Sequence, residues 1–130
     1  MGAMFESLFA SEALRRGFDV STPTAHHLPF DVIISNQEGK LYRVQVKGTG
    51  CLQGRGAYQF SCRRGNNTKR INYTKEIDVF VGIVELTGAR VFYLIPSSGL
   101  TNVKSIKVRP AHDSRGKYEK FREDWSVFKK

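Results

Sequence analysis

Two strand-like runs joined by a short polar turn constrain this chain more than any other feature. Residues 29–34 and 41–48 are rich in β-branched and aromatic side chains, and residues 36–39 between them are turn-forming and end in a glycine. The pattern predicts an antiparallel hairpin in which Val32 lies opposite Val44, a register that collects the apolar side chains on one face. A slip of one residue would mix the two faces, so the pattern specifies the register well.

The same register places three polar side chains together on the opposite face of the hairpin. Asp31 begins the first strand, and Gln45 and Lys47 lie about 7 Å apart on the second, because alternate residues of a strand point the same way. Carboxylate and amide oxygens are hard ligands for Mg²⁺ or Mn²⁺, and a lysine can orient water and offset charge on a phosphate. The cluster predicts metal-dependent phosphodiester hydrolysis. Taken alone, it is equally compatible with an ordinary solvated polar face.

The charge balance points to a polyanionic partner. The 130 residues include 21 lysines and arginines against 12 aspartates and glutamates, a formal net charge of +9. Nucleic acid is favoured over a membrane, because the sequence contains neither an amphipathic basic helix nor an apolar run of spanning length. The length predicts a single domain over residues 1–130, with 97–130 a less certain extension. A surface for DNA must then lie on that domain or come from a second subunit.

The first element is predicted to be an amphipathic helix over residues 5–16. Its apolar residues recur at helical spacing, and Gly17 follows two arginines at the expected C-terminus. The helix carries two acidic residues, Glu6 and Glu12, and its periodicity does not decide which of them belongs to a functional site.

At these residues the chain resembles the PD-(D/E)XK nuclease superfamily. Pro29-Phe30-Asp31 matches the first half of the motif and Gln45-Val46-Lys47 the second, with glutamine where glutamate or aspartate is usual. A helix leading into Arg16-Gly17-Phe18 is similar to that of archaeal-type Holliday-junction resolvases and of phage- or intron-type homing endonucleases. Residues 73–80 and 91–96 look like the second half of the same endonucleases, so the resemblance covers roughly residues 2–96.

The resemblance implies a restriction-endonuclease-like α/β core, with a mixed, mostly antiparallel central sheet flanked by helices. It also implies that Glu6, about three turns before Gly17, is the third acidic group of the site. Glu12 is then a surface residue paired with Arg15 or Arg16, and it remains the alternative for that role. The departure at Gln45 keeps open a different class of function, a DNA- or RNA-binding module whose nuclease site has decayed.

The remaining pattern predicts further strands and a C-terminal helix. The strands are expected over residues 18–20, 57–62, 77–84 and 91–95, with an edge strand over 101–108. The C-terminal helix is expected to carry one aromatic face, favoured as a packing surface over a base-stacking platform. Its four aromatic residues are Tyr118, Phe121, Trp125 and Phe128.

Two loops are candidates for phosphate binding. The first follows the motif, is rich in glycine and carries Arg55; it lacks the Gly-Lys-Ser/Thr of a nucleotide-binding loop. The second is the densest basic patch of the chain, and its crowded charges favour an anion between them over a merely solvated surface. Its cations are Arg63, Arg64, Lys69 and Arg70. His26 and His27 precede the motif and are favoured as solvated loop residues or phosphate contacts, since at most one could enter the site.

These features together predict a divalent-metal-dependent DNA endonuclease. Glu6, Asp31 and Gln45 are the expected ligands of Mg²⁺ or Mn²⁺, and Lys47 completes the catalytic set. The expected substrate is a branched DNA or a specific duplex site, cut by a homodimer or homotetramer because two strands must be cleaved. Cys51 and Cys62 are expected to be free thiols, which favours the cytoplasm of a bacterial, archaeal or phage-infected cell.

Overall fold

The computed structural model describes residues 2–25, 28–50, 52–53, 56–61, 76–100, 103, 105–110 and 116–129. Helix α1 spans Gly2–Arg15. The strands are β1 (Asp19–Ser21), β2 (Val32–Ser35), β3 (Leu41–Thr49), β4 (Leu52–Gln53), β5 (Ala57–Ser61), β6 (Val79–Leu86), β7 (Ala89–Pro96) and β8 (Ser105–Val108). Short 3-10 helices span Ser97–Leu100, Glu119–Phe121 and Trp125–Lys129.

The strands form two sheets. The central sheet has the order β1-β2-β3-β6-β7, and the small sheet has the order β4-β5-β8. β3 and β6 run parallel, whereas every other pair of neighbouring strands is antiparallel. The expected mixed, mostly antiparallel α/β architecture is therefore confirmed.

The β2–β3 hairpin has the register that its apolar pattern predicts. Val32 lies opposite Val44, and Ile34 lies opposite Tyr42. All four side chains are buried under α1, because the alternation of the two strands turns them to the same face. The buried Asn36 directly follows β2, and its side-chain oxygen accepts hydrogen bonds from the amides of Glu38 and Lys40.

Helix α1 ends as its sequence predicts. Gly17 has a φ of +91°, which only glycine adopts at little cost, and the amide of Phe18 donates to the carbonyl of Ala13 at 3.1 Å. Glu12 pairs with Arg15 at 2.6 Å and with Arg16 at 2.7 Å. Glu12 is thus the surface residue with arginine partners that was expected.

Helix α1 approaches β3 closely because Gly48 has no side chain. The ring of Phe5 lies over this glycine, and a Cβ built at Gly48 would be 2.2 Å from the ring. Phe9 and Ala13 continue the buried face of the helix further along the hairpin. The ring contact therefore sets the height of α1 above the central sheet next to the predicted site.

The small sheet covers the other face of the central sheet. Phe60 of β5 packs against Gly82 of β6, where an added Cβ would be 2.7 Å from the ring. Ile106 and Val108 of β8 join this second core with Tyr93. The central sheet is consequently buried on both faces, which explains the continuous apolar run of β6.

The C-terminal segment does not form the single helix that was expected. Glu123 interrupts it with a φ of +52°, and its carboxylate accepts hydrogen bonds from the amide of Phe92 at 2.8 Å and from the indole of Trp125 at 3.2 Å. The aromatic residues are divided as a result. Tyr118 and Phe121 pack with the small sheet, whereas Trp125 and Phe128 pack under α1. The preference for packing over base stacking is nevertheless confirmed.

In the part of the chain that the structure describes, no helix has the length and apolar character needed to span a membrane.

Replacement of Gly48 by alanine tests the close approach of α1. The added methyl group would overlap the Phe5 ring, and we expect a loss of unfolding free energy of about 1–3 kcal/mol, as for other overpacked sites. Gly50→Ala is the matched control, because a Cβ there would lie 3.7 Å from Glu85 Cβ, an ordinary contact. Urea unfolding of both variants provides the measurement, and equal stabilities would contradict the ring-on-glycine contact.

Candidate active site

Asp31 lies where β2 separates from β3. Its amide donates to the carbonyl of Val44 at 2.8 Å, and its Oδ2 accepts a hydrogen bond from the amide of Val46 at 2.9 Å. Since β2 begins only at Val32, the carboxylate supplies the acceptor that the strand backbone no longer provides. Val46 is the spacer between Gln45 and Lys47. This hydrogen bond therefore joins the two halves of the predicted motif.

Gln45 and Lys47 lie on the face of the central sheet that the small sheet covers. In the parallel ladder, Gln45 is paired with Phe80 and Lys47 with Gly82. Gln45 is only 5% exposed, whereas Lys47 is partly exposed. The predicted shared face of these two side chains is thus present, next to the second core.

Glu6 reaches this region from α1. It directly follows Phe5, whose ring rests on Gly48, the residue after Lys47. Partial burial raises the pKa of the Glu6 carboxyl, and the negative charge of Asp31 raises it further. An effect of one carboxylate on the other requires that they be close. The Glu6 carboxyl therefore lies within electrostatic reach of Asp31, 25 positions away in the sequence.

Asp31 is partly buried. Burial raises the pKa of its carboxyl, although the hydrogen bond from Val46 and the positive charge of Lys47 act in the opposite direction. Glu6, Asp31 and Lys47 are thus linked electrostatically. Ionisable groups with perturbed pKa values cluster at functional sites, because a fold that holds them together gives up stability. Two partly buried carboxylates near a lysine fit that description.

The donor chemistry of the site fits a hard divalent cation. Among the described residues, no three His, Cys, Asp or Glu side chains are grouped as metal ligands. Glu6 and Asp31 supply two carboxylates, and Gln45 could add an amide oxygen from the adjacent strand. Oxygen donors of this kind suit Mg²⁺ or Mn²⁺, and a dication would relieve the mutual repulsion of the carboxylates.

Several predicted residues lie outside the part of the chain that the structure describes. They are His26, His27, Cys51, Arg55, Cys62, Arg63, Arg64, Lys69 and Arg70. The phosphate-binding role of the five basic residues, the roles of the histidines and the state of the thiols stay predictions.

The sequence pattern did not reveal the residues that support Glu6. Phe5 belongs to the apolar face of the predicted helix and Gly48 ends the second strand of the hairpin, so neither is part of the motif. A glycine inside a strand pattern often marks a close approach of another element. The glycine at position 48 is such a signal. It marks the contact with Phe5, the residue before Glu6.

Asp31→Asn should stabilise the metal-free protein at neutral pH. The ordinary pKa of 3.8 applies to the unfolded chain, whereas the folded pKa is higher, so stability is lost as pH rises through this interval. Asparagine stays neutral and can still accept the hydrogen bond from Val46. We expect a gain in unfolding free energy at pH 7 that shrinks as the pH falls through the raised folded pKa and is gone below the ordinary value of 3.8, measured by urea unfolding in EDTA.

Asp78→Asn is the control of opposite sign. Burial raises the pKa of Asp78, but hydrogen bonds and the charge of Arg43 outweigh it and lower the pKa overall. Its ionised form stabilises the fold above the ordinary pKa, so this variant should lose stability at pH 7. A destabilised Asp31→Asn at neutral pH would show that the Asp31 carboxylate is not under electrostatic strain.

Comparisons with known proteins agree with this geometry. A family model described as PD-(D/E)XK endonuclease matches residues 1–128, beyond the segment that carried the resemblance in the sequence. None of the curated proteins matches the chain in sequence.

Solved structures that share its fold include two nucleases. The bacterial homing endonuclease I-Ssp6803I superposes with a TM-score of 0.81 at 22% identity, covering 98% of this chain and 90% of its own. The Holliday junction resolvase Hjc from Archaeoglobus fulgidus superposes with a TM-score of 0.51 at 16% identity, covering 85% of this chain and 84% of its own. With the motif on one hairpin and the family model matched over almost the whole length, the chain belongs to the PD-(D/E)XK endonuclease family.

Proposed function

We propose that this protein is a divalent-metal-dependent DNA endonuclease that hydrolyses phosphodiester bonds. The observation that carries the proposal is the hydrogen bond from the Val46 amide to the Asp31 carboxylate. It joins Asp31, the residue before β2, to the strand bearing Gln45 and Lys47. The electrostatic effect of Asp31 on Glu6, whose neighbour Phe5 rests on Gly48, supports adding Glu6 to the same site. Membership of the nuclease family supports this choice over a solvated polar face.

The proposed roles follow from the chemistry of each side chain. Glu6 and Asp31 are charged ligands of Mg²⁺ or Mn²⁺, and Gln45 is a neutral one. A bound dication supplies positive charge against the scissile phosphate and activates water for attack. Lys47 holds a fixed positive charge beside Asp31, so it can orient the attacking water and stabilise charge that develops on the phosphate.

Two kinds of DNA are proposed as substrate, a specific duplex site and a branched junction. The solved structures with this fold include one protein titled as a homing endonuclease and one titled as a Holliday junction resolvase. Both reactions cut two strands, and this chain contributes one site, so we infer a homodimer or homotetramer. We further infer that one nuclease domain spans the chain and that the protein works in the cytoplasm. The five loop cations, Arg55, Arg63, Arg64, Lys69 and Arg70, are proposed to bind DNA phosphates.

A cleavage assay tests the proposed activity. Linear duplex, supercoiled plasmid and a four-way junction are offered side by side with Mg²⁺ and with Mn²⁺. We expect cleavage of at least one substrate and its loss in EDTA. Asp31→Asn, Lys47→Ala and Glu6→Gln should each lower the rate by about 10²–10³-fold, the effect of removing a group that contacts the transition state.

Glu12→Gln is the matched control for Glu6→Gln. Both acids lie on α1, but Glu12 is paired with Arg15 and Arg16, so its removal should leave cleavage unchanged. Circular dichroism establishes that each variant is folded. Binding of all three DNAs without cleavage in either metal would overturn the endonuclease and favour a nucleic-acid-binding module whose site has decayed.

The glutamine at position 45 generates a separate prediction. Gln45→Glu restores the usual carboxylate of the motif, and the added charge should tighten metal binding in the absence of DNA, with cleavage retained. Gln45→Ala removes the oxygen donor and should lower the cleavage rate by about ten- to a thousandfold. Metal titration by calorimetry and single-turnover kinetics measure both effects. Parental rates in Gln45→Ala would remove Gln45 from the ligand set.

A further inference from the structure

The small sheet has one buried and one exposed face. Phe60 of β5 and Ile106 and Val108 of β8 point into the second core. The alternate residues, Gln59 and Lys107, are exposed to solvent. The apolar face accounts for the stability of this sheet, but nothing in its packing requires the particular side chains of the exposed face.

The exposed face carries an unusual set of polar groups. Gln59 lies directly opposite Lys107, and Ser61 lies opposite Ser105. Arg109 follows β8 and is exposed as well. Within β5 and residues 105–109, no acidic residue balances these cations. A solvated sheet face commonly pairs opposite charges across strands, whereas this face pairs a cation with an amide and a hydroxyl with a hydroxyl.

This face belongs to a sheet that lies beside the active site. Phe60 contacts Gly82, and Gly82 is the parallel-ladder partner of Lys47. The small sheet therefore stands on the same face of the central sheet as Lys47, at the neighbouring strand. Stacked sheets are about 10 Å apart, which is less than half of the roughly 34 Å turn of a DNA duplex. A duplex held at Lys47 would pass along this sheet within a few base pairs.

We propose that the β5–β8 ribbon enters the major groove of duplex DNA and reads base edges through Gln59 and Lys107. β4 pairs with β5 only at Ala57 and Tyr58, so β5 and β8 form a two-stranded ribbon at Gln59 and Lys107. The major groove is about 12 Å wide and accepts such a ribbon. A glutamine can donate to and accept from adenine, and a lysine can donate to guanine, so both exposed side chains have the chemistry of direct readout. Arg109, at the end of the ribbon, is suited to a phosphate. This inference rests on the proposed function and selects a specific duplex over a junction as its substrate.

The test is a binding selection from a library of random duplexes. Every protein carries Asp31→Asn so that bound DNA is not cut, and Gln59→Ala and Lys107→Ala are compared with the otherwise unchanged protein. We expect that protein to enrich a sequence motif, and each variant to lose the preference at one or two positions by about tenfold or more. Gln37→Ala, which removes an exposed glutamine from the hairpin turn, should leave the motif unchanged.

Three results would overturn the inference. They are an identical motif in all proteins, the absence of any motif, and a uniform loss of affinity for every sequence, which would make the ribbon a phosphate-binding surface. Cleavage by the protein without Asp31→Asn is measured separately. If the motif changes in Gln59→Ala but the protein without Asp31→Asn does not cleave, the proposed nuclease activity is refuted and base readout by the ribbon is retained. If that protein cleaves but the motif is unchanged in both variants, the nuclease is retained and readout by the ribbon is refuted. Circular dichroism confirms that the variants are folded.

Discussion

Two glycines on adjacent central strands allow the layers of this protein to meet. Gly48 of β3 admits the Phe5 ring from α1 on one face, and Gly82 of β6 admits the Phe60 ring from the small sheet on the other. Gly82 is paired with Lys47, and Gly48 follows Lys47 in the chain. Both of these close approaches therefore lie next to the lysine of the motif.

The candidate active site lies at a discontinuity in the sheet. β3 continues past the start of β2, so the amide of Val46 needs an acceptor that strand pairing does not provide. The Asp31 carboxylate fills that position and is desolvated as a consequence. Burial of one acid near another lowers the stability of the fold, and a bound cation would offset this loss by neutralising their charges. This trade between stability and function is expected where charged groups must be preorganised.

The C-terminal segment protects the open edge of the central sheet at β7. Tyr93 is bridged to Arg122 through the backbone, and its hydroxyl donates to the buried Glu119 at 3.0 Å. Burial and this neighbouring carboxylate raise the pKa of Tyr93, so it stays a neutral donor. At the other end of the segment, the amide of Asn36 donates to the carbonyl of Phe128. The contacts at Phe92 and Tyr93 cover part of the edge strand β7, which would otherwise be free to pair with another chain.

The local sequence pattern by itself determined α1, the hairpin, its register and the shared face of Gln45 and Lys47. These features depend on periods of 3.6 and 2 residues and on turn chemistry, which act between near neighbours. Only the tertiary structure decided how closely Glu6 approaches Asp31, since that depends on a ring from α1 resting on a glycine of β3. It also decided the C-terminal break, because Glu123 adopts its positive φ to satisfy an amide of β7. The exposed face of the small sheet likewise arises from β5 pairing with β8, strands more than 40 residues apart whose contact no local periodicity encodes.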